Sequence, residues 1–341
     1  MGKGRPVEGK IALEEHLSTP LNDALWDATG EAERNGKTYM ADVRAHLADA
    51  GERVALMDEH GIGTAILSLT SPGAQSVLDP REAVDFARET NDTVKRDFVD
   101  AHPGRLEFFA AVALQDPQAA ADELDRAVRR LGAKGALVNG YTNIGDPGTG
   151  RYLDHPDNAP FWAKAAELGV PVYLHPREPL PAGHYLYEGY DSLTGSAWGF
   201  GHETATHAVR LMLSGLFDTH PGLQIILGHL GEGLPFLLPR LEHRLRKQRE
   251  GTGLGRARRR VGEYFQENFL LTTAGHFHTP ALRCALEAIG SDRVLFSADY
   301  PYETMAEAAA WFDAAPLCDN DRVKIGRNNA LRIFNLVPGP S

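Results

Sequence analysis

The sequence predicts an α/β protein of the (β/α)8, or TIM-barrel, class, and three observations carry that expectation. Short β-rich runs alternate with longer amphipathic stretches eight times along the 341 residues. Three helical stretches reach the next strand through a glycine, at His60-Gly61-Ile62-Gly63, Leu131-Gly132-Ala133-Lys134 and Leu168-Gly169-Val170, where a helix C-terminus needs a left-handed residue. No strand runs into a GxGxxG turn, which argues against an open dinucleotide-binding sheet. There is no Ser/Gly-rich linker, low-complexity tract or short repeat, so residues 1–341 are expected to form a single barrel domain.

The first strand is placed at 10–16, an apolar run after a polar arm. The others follow at 64–69, 106–114, 135–140, 170–177, 224–231, 269–275 and 293–300, each rich in β-branched, aromatic or other apolar residues. Helices are expected at 44–60, 81–102, 117–131, 159–168, 203–219, 234–247, 280–289 and 305–315. A terminal helix at 321–334 packs on the barrel. The longer segments 18–42, 141–157 and 178–201 read as loops after strands one, four and five. They rise from the face where barrels carry their chemistry.

Composition narrows the function classes. With 43% hydrophobic and 24% charged residues the chain can bury a large core. A net charge of −11 speaks against a nucleic-acid surface, and the basic run 244–260 reads as a solvated helix and loop. Two cysteines, Cys284 and Cys318, make neither a disulfide framework nor a thiolate zinc site. No apolar stretch reaches membrane-spanning length and no signal-peptide core opens the chain. A cytoplasmic protein without membrane partners is expected.

Strand tips are therefore the place to look for chemistry. In "GKIALEEH", alternation puts Glu14 and His16 on one face and Glu15 on the other. "PVYLHPR" ends strand five with His175 on the face of Tyr173 and Arg177. "IILGHLGEG" ends strand six with His229 and Glu232, and "VLFSADYPYE" ends strand eight with Asp299. Each residue alone has a bland reading, a satisfied strand-end histidine or a helix cap. Together, Glu14, His16, His175 and Asp299 bring imidazoles and carboxylates from three remote strands to one mouth, a set suited to one divalent metal with open positions. His46, His60, His102, His155, His207, His220 and His243 read as structural, while His184, His202, His276 and His278 lie on the site's side of the barrel.

The blocks "GKIALEEH", "DEHGIGTAILSL", "YLHPREPLP", "SGLFDTHPGLQIILGHLGEGLP", "RVLFSADYPYE" and "DRVKIGRNNALRIF" resemble the amidohydrolase superfamily over nearly the whole chain. The branch they resemble is that of metal-dependent non-oxidative decarboxylases of o-hydroxybenzoates such as 2,6-dihydroxybenzoate. The resemblance implies one divalent metal on Glu14, His16, His175 and Asp299, and no organic cofactor. It makes His229 and Glu232 a pair beside the metal-bound carboxylate, Arg240 the partner of the substrate carboxylate, and Asn139 and Tyr302 pocket residues. It also implies a homodimer or homotetramer, and contacts through 211–216 or the arm around Trp26 are conceivable. Glu14 stands where the hydrolytic branch has the first histidine of HxH. The harder, more anionic site favours manganese or magnesium, manganese being the expected ion and zinc the alternative. The catalytic residues so implied are Asp299, His229 and Glu232, acting on a small aromatic carboxylate. A hydrolase of an amide or lactone on the same barrel is the competing activity, and a non-catalytic metal-binding scaffold is a further one.

Overall fold

The computed structural model describes residues 6–26, 31–252 and 256–336. Eight parallel strands form the centre: β1 Lys10–Leu17, β2 Ile62–Leu69, β3 Leu106–Phe108, β4 Ala136–Asn139, β5 Val172–His175, β6 Ile225–Leu227, β7 Phe269–Thr272 and β8 Val294–Leu295. β1–β2–β3 pair in one ladder and β4–β5–β6–β7–β8 in another. Two isolated parallel bridges join their edges, Ala110 to Ala136 and Glu15 to Tyr300. The ring is thereby completed in chain order, and the fold is the expected (β/α)8 barrel.

Side-chain packing agrees with that closure. One buried cluster takes a residue from every strand or its immediate extension: Ile11 and Leu13, Ile66, Phe109, Leu137, Tyr173, Ile226, Leu270 and Leu295. Residues that touch one another from all eight strands must point to the barrel axis. Ala330 and Phe334 of the terminal helix Asn329–Phe334 join this cluster. A second, larger cluster contains the alternate residues, such as Ala12, Leu17, Ala65 and Leu67, packed against the helices.

Local chemistry sets the helices. Asp79 and Asp116 cap Pro80–Val94 and Pro117–Arg126 with their carboxylates, each followed by a proline at the first helical position. The expected C-terminal glycines are left-handed, with φ of 82° at Gly132 and 65° at Gly169. Helix Ala159–Leu168 has the bounds expected for it.

The differences have local causes. The expected helix 44–60 is two helices, Lys37–Ala48 and Ala50–Glu59, because Asp49 turns its side chain to cap Glu52 N. The segment 18–42, expected as loop, carries the helices Pro20–Trp26 and Glu31–Asn35; residues 27–30 of it lie outside the described residues. Segment 141–157 contains a hairpin, Thr142–Ile144 with Asp146–Arg151. Helix Val261–Asn268 was not anticipated; Glu263 reaches back to Arg260 N at 2.8 Å and starts it inside a basic run. That run is exposed over 246–248, and residues 253–255 of it lie outside the described residues. The terminal helix expected at 321–334 begins at Asp319 and includes a wider turn at Lys324–Asn328. Trp26, Leu211 and Met212 are buried within this chain, whereas residues 213–216 are half-buried.

Candidate metal and active site

β1 does not alternate strictly. Its register against β2 slips between Ala12 and Glu15, so that one extra residue stands on β1. This β-bulge changes which side chains face the axis. Ile11 and Leu13 point inward before it, Glu14 and His16 after it, and Glu15 and Leu17 turn towards the helices. Strict alternation from Ile11 would have put Glu15 in the mouth. The expectation that Glu14 and His16 share a face, with Glu15 opposite, agrees with the structure.

Glu14, His16 and His175 converge there, all buried, with candidate ligand atoms within 4.8 Å of one another; Glu14, His229 and Asp299 form an overlapping group under the same limit. His175 Nε2 lies 3.4 Å from Glu14 Oε1, and His16 Nε2 lies 3.2 Å from Asp299 Oδ1. Glu14 Oε1 and His16 Nε2, which face this cluster, are buried without a hydrogen-bond partner. Orphaned carboxylate and imidazole atoms at one point are costly unless something cationic joins them. The residues present therefore fit a divalent ion of the hard-to-borderline kind.

Surrounding groups fix these side chains. Tyr173 and Thr272 donate to Glu14 Oε2, the latter at 3.3 Å. His16 Nδ1 meets Ser68 Oγ at 3.4 Å. Close approach also needs glycine at two places. A Cβ on Gly228 would sit 2.5 Å from Glu14 Oε2, and one on Gly275, whose φ is +56°, would sit 2.9 Å from Asp299 Oδ2.

The turn after β6 places His229. His229, Leu230 and Glu232 all have positive φ, between 51° and 55°, and Asp299 has a φ of 73°. Such backbone in non-glycine residues costs about 1–3 kcal/mol each and concentrates at functional sites. In return, Glu232 Oε1 holds His229 Nδ1 at 2.7 Å, and His229 Nε2 reaches Asp299 Oδ2 at 3.4 Å. Burial works against a charged His229, but the carboxylates of Glu232 and Glu14 outweigh it and hold its pKa well above the ordinary histidine value. Burial likewise opposes ionisation of Asp299, yet the His16 and His229 imidazoles beside it pull it well below the usual carboxylate range. Burial raises Glu14 to about 7 and keeps His175 neutral, well below its ordinary value.

These groups open on a cavity of about 270 Å³ whose walls include Thr70, Tyr39, Phe200 and Tyr302. That is room for a single substituted ring. Tyr302 lines it, its ring centroid 5.5 Å from that of His16 in an edge-on arrangement and its hydroxyl 2.6 Å from Thr70 Oγ1. His202 and His276 line an adjoining cavity that reaches His229 and Glu232. Two expected pocket residues do not reach the cavity in this chain. Asn139 is buried behind it, donating to Leu69 O at 3.4 Å, and Arg240 is exposed on the helix Leu234–Thr252.

Tyr173, Thr272, Ser68 and the two glycines were not singled out from sequence. A tyrosine two residues before His175 in an apolar strand was the one visible signal.

A barrel with a histidine–carboxylate cluster at its strand tips defines a class, and the chain belongs to it: residues 41–336 match the amidohydrolase family model, described as "Amidohydrolase". Within that family the similarity is more particular. The chain is 46% identical to the γ-resorcylate decarboxylase of a Rhizobium species, over 97% of this chain and 99% of that one. It superposes with a TM-score of 0.91 on 2,6-dihydroxybenzoate decarboxylase complexed with 2,6-dihydroxybenzoate, at 46% identity, covering 97% of this chain and 100% of that one. Dihydroxybenzoic acid decarboxylase from Polaromonas, with bound manganese and the inhibitor 2-nitroresorcinol, gives 0.91 at 45% identity, covering 97% and 98%.

Proposed function

We propose that this protein is a divalent-metal-dependent, non-oxidative decarboxylase. Its substrate is an aromatic acid with a hydroxyl ortho to the carboxylate, of the 2,6-dihydroxybenzoate type, and its products are the phenol and CO2. The observation that carries the reading is the meeting of Glu14, His16, His175 and Asp299 with the His229–Glu232 pair above a ring-sized cavity. Full-length similarity to aromatic-acid decarboxylases at 46% identity supports it.

Glu14, His16, His175 and Asp299 would hold the ion, which supplies Lewis acidity that favours the phenolate and fixes the ring. Direct loss of CO2 would leave an aryl carbanion, so the carboxylate-bearing carbon must first gain a proton. Asp299 delivers it, and His229 returns a proton to Asp299. A C–H bond forms at the ring carbon, and the C–C bond to the carboxylate then breaks. Its electron pair restores the aromatic ring as CO2 departs. Glu232 orients His229 and keeps it charged. The opposite pKa directions of His229 and Asp299 favour a second version, in which His229 is the direct donor.

Tyr302 edges the ring. Arg240 and Asn139 remain proposed carboxylate and pocket partners, Arg240 by way of a second copy in a homodimer or homotetramer. Manganese is the expected ion, zinc the alternative, no organic cofactor is required, and the cytoplasm is the expected compartment for this one-domain chain. No helix among the described residues is long and apolar enough to cross a membrane.

The test is a panel of salicylate and 2,3-, 2,4- and 2,6-dihydroxybenzoate, with ester, amide and lactone controls, on metal-stripped protein reloaded with manganese or zinc. CO2 release from an ortho-hydroxy acid supports the reading, and cleavage of a control with no CO2 release selects the hydrolase.

A further inference from the structure

Glu15 and Ser297 lie behind the site and touch none of the space a substrate would occupy. Glu15 is wholly buried on the helix side of β1, and Ser297 is wholly buried two residues before Asp299. The Ser297 hydroxyl oxygen accepts from both backbone N–H groups of the β1 bulge, Leu13 N at 3.2 Å and Glu14 N at 2.5 Å. Its proton points to Glu15 Oε1 at 3.4 Å, and the same Glu15 oxygen accepts from Ala298 N at 2.8 Å. Ser297 is itself pinned to Thr273, through N to Oγ1 and from Oγ1 to O, both at 2.9 Å.

The backbone on either side continues the zipper, with Asp299 N to Glu14 O at 3.0 Å and His16 N to Tyr300 O at 2.7 Å. Arg53, buried on helix Ala50–Glu59, donates to His16 O and places its guanidinium 4.8 Å over the Tyr300 ring. Two irregularities that a barrel does not adopt for free, the bulge in β1 and the left-handed Asp299 after β8, thus share one set of hydrogen bonds.

We propose that Ser297 and Glu15, backed by Arg53, are positioning residues: one clamp locks the β1 bulge that turns Glu14 and His16 into the mouth and the left-handed turn that brings Asp299 to meet them. The physical reason is that a bulge leaves ladder groups unpaired, and an unpaired buried N–H is expensive. With Ser297 Oγ in place the bulged form is satisfied. Without it, a regular strand that carries Glu14 away from the axis becomes competitive, because a one-residue slip reverses every side chain.

The inference rests on the ligand assignment above, so Asp299→Asn and His16→Ala serve as controls. Manganese affinity is measured on the full-length protein by electron paramagnetic resonance of free Mn2+, together with thermal unfolding of the stripped form and kcat and KM at saturating metal. Ser297→Ala removes the shared acceptor. Glu15→Leu/Arg53→Met replaces both buried charged side chains by apolar groups in one step, so that neither charge is left alone in the core. Both are expected to weaken manganese binding about 10–100-fold and to lower kcat with KM near wild type, whereas Glu15→Gln, which keeps the acceptor, stays within about threefold. A merely structural role lowers the unfolding midpoint and leaves both quantities unchanged.

Wild-type affinity and kcat in Ser297→Ala overturn the proposal, or in Glu15→Leu/Arg53→Met should Ser297→Ala not fold. If both fail to fold, Arg53→Met alone decides by the same two readouts. If the two controls bind manganese normally, the ligand assignment itself is wrong; if they lose it while the clamp variants do not, only the clamp is.

Discussion

His229 Nε2 lies 3.4 Å from Asp299 Oδ2, and the opposite ring nitrogen of His229 is held by Glu232 at 2.7 Å. The three groups form a line from the adjoining cavity to the candidate metal site, which the proposed reaction would use to hold and pass a proton. Asp299→Asn is expected to lower kcat by about 10²–10⁴-fold. His229→Gln is expected to lower it comparably while manganese still binds, since His229 is not among the four ligands proposed. Stopped-assay kcat with parallel metal analysis checks both. Near-normal turnover in metal-loaded Asp299→Asn removes Asp299 as the acid.

Adjacent glutamates have different work. Glu14→Gln is expected to lose manganese affinity by more than the roughly 10–100-fold that removal of an outer partner costs, and Glu15→Gln by much less. Equilibrium dialysis on stripped protein separates them, and equal affinities would mean that the bulge does not place Glu14 as described.

Gly228 tests the closeness of packing behind the site. Its Cβ position is 2.5 Å from Glu14 Oε2 at a strand tip with little room to move. Gly228→Ala is expected to destabilise by about 1–3 kcal/mol and to weaken metal binding. A urea titration and the same dialysis report the two effects, and an unchanged protein would contradict the approach.

Much of this architecture was legible in the sequence because it rests on local rules. Strand tips and C-terminal glycines such as Gly132 and Gly169 announce themselves within a few residues. Ligand-type side chains at the tips of strands one, five and eight marked the candidate metal site, and a barrel brings such tips together whatever their separation in sequence. What stayed hidden depends on remote partners. The β1 bulge is satisfied by Ser297, nearly the whole chain away, and nothing in "IALEEH" shows it. Tyr173 reads as core until Glu14 is placed against it. Asp49 broke a helix that periodicity had run through, because its side chain prefers the cap to the helix interior. Arg240 was matched by motif, and its exposed position on one chain could not be foreseen from a motif.

His207 gives a pH dependence independent of the metal. Burial, helped by the Arg210 charge, holds its imidazole down to about 3, and its Nε2 accepts from Leu153 N at 2.8 Å. The unfolded chain takes up this proton near the ordinary value of about 6.5. Its contribution is therefore complete above pH 6.5 and is lost as pH falls towards 3, by about 2 kcal/mol between pH 7 and 5. His207→Gln is expected to flatten the acid side of the stability curve by that amount, as read from urea midpoints at the two pH values. An unchanged slope would mean that His207 is charged in the folded protein.

The most direct measurement follows labelled CO2 from carboxyl-13C 2,6-dihydroxybenzoate, using protein stripped of metal and the same protein reloaded with manganese. Release of 13CO2 matched by resorcinol, present with manganese and absent without it, is the expected result. Manganese-loaded, folded protein that releases no 13CO2 from this acid or from any ortho-hydroxybenzoate would contradict the assignment of the site to decarboxylation.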